Sequence, residues 1–428
     1  MDAFLIRGPS RLAGTVRASG AKNAALPAAA AALLTDEPVV LENVPGVADV
    51  RTMGVLLSGL GVRVEAEDAG RLAMRADAVT STEAPYDLVR TMRASILVLG
   101  PLLARFGEAR ISLPGGCAIG VRPVDLHVAA MKAMGARIAV EKGYIHAHVS
   151  RVSAAAGRLS GAEIAFPQPT VTGTENVLLA ATLARGRTTL RNAALEPEIA
   201  DLAELLRAMG AQIEGAGTPT IVVDGVERLT GTGGRPHVVI PDRIEAGTYL
   251  AAGAITGGDV TVAGARPGDL TAFLDALRRA GIEVAAEEGG VRVRSEGPLR
   301  ATDVRTAPHP GYPTDLQAQW MALMTQADGT SSVVETIFEN RFLHAAELVR
   351  LGANVRIDGH SAFVTGPARL EGATVTASDL RASAALVLAA LVADGETLVR
   401  RIYHLDRGYA TMEEKLSSLG ARVSRVAG

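Results

Sequence analysis

The chain has one cysteine in 428 residues, within Pro114-Gly115-Gly116-Cys117-Ala118-Ile119-Gly120-Val121-Arg122-Pro123. That run is too rich in glycine and proline to lie inside a helix or strand. A thiol on such a loop can serve as an acid or a nucleophile, and Arg122 can bring a fixed positive charge to the same place. The run reads as a lid that carries a reactive group beside an anion clamp. Free cysteine is also a common small apolar core residue, so this stretch alone leaves both readings open.

Other polar residues gather where helices are expected to begin. Lysine is scarce, with only Lys22, Lys132, Lys142 and Lys415, and Lys22 stands in the polar turn Ser19-Gly20-Ala21-Lys22-Asn23. Arg93, Thr174, Glu175, Asp242, Arg243, Glu245, Asp315, Asp379 and Arg381 hold similar places ahead of apolar runs. A helix N-terminus offers unpaired N–H groups and the positive end of the dipole, which suits anions. Asp and Thr there are explained as N-caps. Lys22, Arg93 and Arg381 oppose the dipole and would be tolerated if a phosphate or carboxylate compensated them. The eight histidines are dispersed. His146 and His148 would share a strand face, but two ligands without a third make a poor metal site. No P-loop, dinucleotide fingerprint or Gly-x-Ser-x-Gly elbow is found.

The elements that must position these residues repeat. Gly61, Gly135, Gly210, Gly281, Gly352 and Gly420 follow one another at 74, 75, 71, 71 and 68 residues. Each closes a helical pattern of apolar residues three and four apart, such as Ile199, Leu202, Leu205, Leu206 and Met209, and precedes an alternating run such as Ala353, Val355 and Ile357. The glycine is expected as a left-handed helix stop. Each unit also carries a nearly all-apolar helix, over 24–34, 95–106, 177–184, 249–255, 317–324 and 383–392, which must be buried. The expected fold class is α/β: six units of buried helix, strand, exposed helix and strand pair, with sheets facing outward around interior helices. Three units fill about 230 residues, and Gly231-Thr232-Gly233-Gly234-Arg235-Pro236 follows the third. Two pseudo-symmetric domains are therefore expected, with the crossover there.

Composition narrows the function. Hydrophobic residues make up 48% of the chain, enough for two substantial cores. A net charge of −3 and only 3% aromatic residues argue against a nucleic-acid surface. The N-terminal residues lack a basic, apolar leader, and apolar runs such as 382–393 are far shorter than the roughly 20 residues that span a bilayer. A cytoplasmic protein without membrane association is expected, and one cysteine allows no intrachain disulfide.

Several motifs together resemble the enolpyruvyl transferase family, in its 1-carboxyvinyltransferase branch that uses UDP-N-acetylglucosamine. They are Ala21-Lys22-Asn23-Ala24-Ala25, Thr91-Met92-Arg93-Ala94-Ser95, Pro114-Gly115-Gly116-Cys117 with Arg122-Pro123-Val124-Asp125-Leu126-His127, and Pro313-Thr314-Asp315-Leu316-Gln317-Ala318-Gln319. Phe338-Glu339-Asn340-Arg341-Phe342, Asp379-Leu380-Arg381-Ala382-Ser383 and Asp406-Arg407-Gly408-Tyr409 extend the match to the end of the chain. The resemblance implies two inside-out α/β domains of three repeats each, 21–230 and 1–20 with 231–428, and an active site in the cleft between them. It implies transfer of the enolpyruvyl group of phosphoenolpyruvate to the 3′-hydroxyl of the sugar nucleotide, with release of phosphate, at the opening of peptidoglycan precursor synthesis. No metal or organic cofactor is implied, and the oligomeric state is left open.

Roles follow by the same resemblance. Cys117 matches the proton donor, which can also form an adduct with phosphoenolpyruvate, and Asp315 matches the partner of the attacking hydroxyl. Lys22, Arg122 and Arg407 match the phosphoenolpyruvate clamp. Asn23, Arg93, Arg122, Pro123, Val124, Asp125, Leu126 and Ile337 match sugar-nucleotide contacts, and Asp379 with Arg381 match a supporting charged pair. The run Phe166-Pro167-Gln168-Pro169-Thr170-Val171-Thr172-Gly173-Thr174 departs from the Ser-Val-Gly-Ala of many relatives, which weakens the case for contacts by Thr170 and Val171. Two rivals remain: 5-enolpyruvylshikimate-3-phosphate synthase, the sister enzyme without the Pro-Gly-Gly-Cys lid, and a non-catalytic repeat scaffold.

Overall fold

A computed structural model describes residues 2–67, 70–90, 92–113, 124–150 and 157–428. Six sheets account for its strands, five of four strands and one of five. Each begins with a parallel pair and ends in an antiparallel pair, which is a hairpin in five of the six; in the sixth, Asp2–Gly8 pairs antiparallel with both Gly395–Arg400 and Val423–Ala427. In one, Glu83–Ala84 runs parallel to Glu108–Ser112, which pairs with Tyr144–Val149 and through it with Ala136–Glu141. Parallel pairing needs a crossover; an apolar helix supplies it in four sheets, whereas Val39–Glu42 with His237–Val238 and Ala13–Arg17 with Asp259–Ala263 are partners from distant parts of the chain.

Those inner helices are Lys22–Ala31, Leu99–Phe106, Val171–Ala181, Arg243–Ile255, Gln317–Met324 and Leu380–Val392. Their lack of a polar face is why they are buried: every residue of Gln317–Met324 is buried, and so are all but Arg243 in Arg243–Ile255. Two start more tightly than an α-helix, through 3-10 turns at Arg93–Val98 and Thr314–Leu316. The amphipathic helices Ala48–Leu60, Asp125–Ala133, Pro197–Ala208, Thr271–Arg279, Ala345–Arg350 and Met412–Ser418 form the second set. All six expected stop glycines have positive φ, from 89° at Gly281 to 102° at Gly210. Strands keep one face in, as in Val39–Glu42, where Val39 and Leu41 are buried.

The described chain divides into two compact units, 20–240 and 2–19 with 241–428. Their hydrophobic cores share no residue. Asp2–Gly8 is an interior strand of the second unit, between Gly395–Arg400 and Val423–Ala427, and Ala13–Arg17 runs parallel to Asp259–Ala263. The crossover differs from the expected 230/231. His237–Val238 pairs in parallel with Val39–Glu42, and Thr232 N donates to Pro38 O at 3.0 Å, so 231–240 finish a sheet of the first unit. The glycine-rich composition of that stretch marks a turn, and the domain limit falls after the strand that follows it. Among the described residues no helix is long and apolar enough to cross a membrane.

Candidate functional site

In the unit of 2–19 and 241–428, Asp315 is held between two guanidinium groups. It sits in the 3-10 turn ahead of the inner helix Gln317–Met324, where Pro313 gives an extended entry. Arg341 Nη2 donates to Oδ1 at 2.6 Å and Arg381 Nη2 donates to Oδ2 at 2.9 Å. The Arg341 and Arg381 side chains are 4% and 5% exposed against 27% for Asp315, so the carboxylate is the part of the cluster that reaches solvent. Burial alone disfavours the Arg381 charge, but Asp315, the Tyr409 hydroxyl and Asp242 together hold its pKa above the ordinary arginine value. Arg381 Nη1 also donates to Tyr409 Oη at 3.2 Å, and Tyr409 Oη lies 2.9 Å from Thr248 Oγ1 and 3.3 Å from Gln319 Nε2. Three inner helices thereby fix one guanidinium. A carboxylate has room for about four hydrogen bonds, so a substrate hydroxyl can be received in addition.

Asp379 caps the helix Leu380–Val392, accepting from Arg381 N and Ala382 N at 3.0 Å each. The same carboxylate bears on two histidines. His344 is pushed down to about 4, first by burial, with Arg341 adding to that and Asp379 opposing it. His404 is lowered by burial and by Arg407. Arg407 ends the 3-10 turn Ile402–Arg407 and is half-buried. Its neighbour Gly408 packs closely on the start of that helix: a Cβ there would lie 2.6 Å from Leu380 Cδ2, so a side chain would have to displace the end of Leu380. Ile337 is half-buried, and its N–H donates to Glu335 Oε1 at 2.7 Å. The structure thus brings Asp315 and Arg381 into direct contact, with Asp379 joined to Arg381 through the backbone.

In the unit 20–240, Lys22 opens the helix Lys22–Ala31, and its Nζ donates to Asp49 Oδ2 at 3.0 Å, with the two side chains 12% and 6% exposed. The anion that offsets its clash with the helix dipole is thus a carboxylate of the protein, as Asp315 is for Arg381. Asn23 follows, half-buried. Arg93 begins the 3-10 turn Arg93–Val98, and its charge is felt at His127. His127 is pushed down to about 4, by burial first and Arg93 second.

Asn176 fixes the state of that ring. Its Oδ1 accepts from Gly100 N at 2.8 Å, so its Nδ2 donates to Ile96 O at 2.8 Å and to His127 Nδ1 at 2.9 Å. Nε2 then carries the proton and donates to Thr172 Oγ1 at 3.3 Å. This bracket sets the start of the helix Asp125–Ala133, where Asp125 is exposed and Val124 and Leu126 are half-buried. Thr170 caps the helix Val171–Ala181 by accepting from Gly173 N at 3.3 Å, with Val171 half-buried beside it. A Cβ at Gly173 would stand 2.4 Å from Thr170 Cγ2, so a side chain there requires Thr170 to shift.

Cys117, Arg122 and Pro123 lie outside the described residues. Among those described, no group of three or more His, Cys, Asp or Glu could hold a metal ion. Sequence reasoning assigned no role to Asp49, Arg341, Tyr409 or Glu335. Asp49 lies in the first turn of the helix Ala48–Leu60 and Glu335 directly after the strand Ala327–Val334, places that carry no chemical signal in the sequence. Arg341 and Tyr409 stood within motifs already noted, which was the available signal.

The chain matches the family model EPSP synthase (3-phosphoshikimate 1-carboxyvinyltransferase) over residues 6–416. It is 57% identical over 432 residues to the UDP-N-acetylglucosamine 1-carboxyvinyltransferase of Anaeromyxobacter sp. (strain K), covering 100% of both chains. Identity to the protein of the same name from Koribacter versatilis (strain Ellin345) is 56% over 429 residues, covering 100% of this chain and 97% of the relative. Among solved structures, the enolpyruvyl transferase NikO from Streptomyces tendae is similar with a TM-score of 0.87 and 28% identity, covering 100% of this chain and 99% of that one. An EPSP synthase from Acinetobacter baumannii, at 17% identity, shares the fold with a TM-score of 0.76 and full coverage of both.

Proposed function

Since the chain belongs to the EPSP synthase family of enolpyruvyl transferases, we propose that it transfers the enolpyruvyl group of phosphoenolpyruvate to the 3′-hydroxyl of UDP-N-acetylglucosamine and releases phosphate. The observation that carries the choice of acceptor is the 56–57% identity, over the whole chain, to enzymes named for that sugar nucleotide. A phosphoshikimate acceptor is favoured only by the name of the family model. The reaction belongs to peptidoglycan precursor synthesis, and hence to cell-wall growth and division, in the cytoplasm.

The chemistry is addition followed by elimination. The 3′-hydroxyl gives its proton to Asp315 as its oxygen bonds to C2 of phosphoenolpyruvate and C3 takes a proton, giving a tetrahedral adduct. Loss of a proton from C3 and cleavage of the C2–O bond to phosphorus then restore the double bond and expel phosphate. Cys117 donates the proton to C3, since a thiol of ordinary pKa near 8.5 is mostly protonated at neutral pH. Asp315 receives the sugar hydroxyl, aimed by Arg341 and Arg381 at 2.6 and 2.9 Å. Lys22, Arg122 and Arg407 balance the phosphate and carboxylate, each charged hydrogen bond contributing about 1.5–3 kcal/mol. Asn23, Arg93, Pro123, Val124, Asp125, Leu126 and Ile337 contact the sugar nucleotide. Asp379 supports by fixing the Arg381 backbone. No metal or organic cofactor enters these steps.

Phosphate release measured with phosphoenolpyruvate and each acceptor tests this reading. Turnover is expected with UDP-N-acetylglucosamine, and turnover with shikimate 3-phosphate alone overturns it. Cys117→Ser is expected to lower kcat by roughly 10²–10⁴-fold with sugar-nucleotide binding kept, as loss of a general acid does. Unchanged kcat removes the proton-donor role.

A further inference from the structure

Glu335 is 1% exposed and follows the strand Ala327–Val334. Among the described residues its carboxylate is met by four neutral donors. Oε1 accepts from Thr306 Oγ1 at 2.9 Å, from Ile337 N at 2.7 Å and from Phe338 N at 3.2 Å, and Oε2 accepts from Thr314 Oγ1 at 2.8 Å. Burying a carboxylate is costly, and such a set of donors is what makes it tolerable. An apolar residue would fill the space without that cost, so the hydrogen bonds themselves are the reason to look for a role.

The four donors come from segments that meet at Asp315. Thr314 immediately precedes it. Ile337 and Phe338 begin the loop that reaches Arg341, whose guanidinium holds Asp315 Oδ1 at 2.6 Å. Thr306 braces the same point, because its hydroxyl accepts from Thr336 N at 2.8 Å while Thr336 Oγ1 donates to Thr306 O at 2.6 Å. One carboxylate therefore sets the spacing between the turn that carries Asp315 and the loop that carries both Ile337 and Arg341.

We propose that Glu335 is a positioning residue for the acceptor: through Thr314 on one side and the Ile337–Phe338 backbone on the other, it holds Asp315 where the sugar hydroxyl arrives. This rests on the reading above that Asp315 and Ile337 receive the sugar nucleotide. Glu335 touches no substrate and acts only through its neighbours.

Thr314→Val keeps the side-chain shape and removes one arm of the bracket, and Thr314→Ser restores the hydroxyl. Thr314→Val is expected to lower kcat/KM for UDP-N-acetylglucosamine roughly ten- to a hundred-fold, the scale of one lost hydrogen bond to a buried charge. The KM for phosphoenolpyruvate should change much less, and Thr314→Ser should recover most of the loss. Glu335→Gln should shift the same parameter in the same direction. Equal losses for both substrates, losses that track a fall in Tm, or no rescue by serine mark a merely structural role and overturn the proposal. A wild-type chain that uses the sugar nucleotide beside a Thr314→Val chain equal to it overturns this inference alone. A wild-type chain that does not use it overturns the reading on which the inference stands.

Discussion

Glu175 is a carboxyl group the proposed chemistry does not use. It lies on the inner helix Val171–Ala181, 1% exposed, with Oε1 buried and without a hydrogen-bond partner among the described residues. Burial raises its pKa well above the usual glutamate range, and the nearby charges of Glu198 and Glu196 push it further up. Because the folded pKa exceeds the unfolded one, the native state holds this proton after the unfolded chain has lost it. Stability contributed here is therefore greatest below the ordinary glutamate pKa and falls as pH rises towards the folded value. Glu175→Gln should flatten that slope. Relative to the wild type the variant is expected to gain stability at pH 8 compared with pH 5, so its Tm should fall less between them. Melting curves at pH 5 and pH 8 check this, and an unchanged pH slope would contradict it.

The buried state of Glu175 was not legible in the sequence, where a Thr-Glu pair ahead of an apolar run reads as a helix start. What decides its ionisation is burial first and then the approach of Glu198 on another helix and Glu196 at that helix's N-cap. Asp49 and Lys22 pose the same difficulty. Local pattern explains why either residue stands at a helix start, and only the packing of one helix on the next pairs them at 3.0 Å.

Elements were more legible than pairings, for a physical reason. A helix without a polar face has nowhere to go but the interior, so 249–255 and 317–324 are buried as their composition demands. A stop glycine must adopt positive φ, and Gly61 and Gly420 do so at 99°. The tighter 3-10 starts were not foreseen, because hydrophobic period does not separate three residues per turn from 3.6 over a single turn. Nor was the bracket that joins three elements through Asn176, since it depends on an amide placed between two helices distant in sequence. That bracket supports a prediction at this scale. Asn176→Leu keeps the volume but strands Gly100 N–H and His127 Nδ1, while Ile96 C=O keeps the Leu99 N–H. Each orphaned buried group costs about 1–3 kcal/mol, so for the two a loss of roughly 2–6 kcal/mol is expected in urea titrations. A loss under about 1 kcal/mol would mean that water replaces the amide at little cost.

At the scale of the molecule, the first strands belong with the last. Phe4, Ile6, Leu12 and Val16 are all at most 5% exposed, and all enter the core of the unit that holds 241–428. The core of 20–240 contains none of them. Sequence repeats count six units without saying that the sixth sheet is completed from the N-terminus, where Ala3 pairs with Arg400 on one side and Val426 on the other. The physical consequence is selective. Phe4→Ala removes a fully buried ring and should cost about 3–5 kcal/mol, all of it from one core. Leu202→Ala, at 0% exposure in the other core, should cost about 2–5 kcal/mol there. Two separate cores in a chain of 428 residues make a single all-or-none transition a poor expectation. Amide exchange resolved by peptide is the decisive readout: Phe4→Ala should strip protection from 241–428 and spare 20–240, and Leu202→Ala should do the reverse. Protection lost across both ranges in either variant would show that the two cores unfold as one.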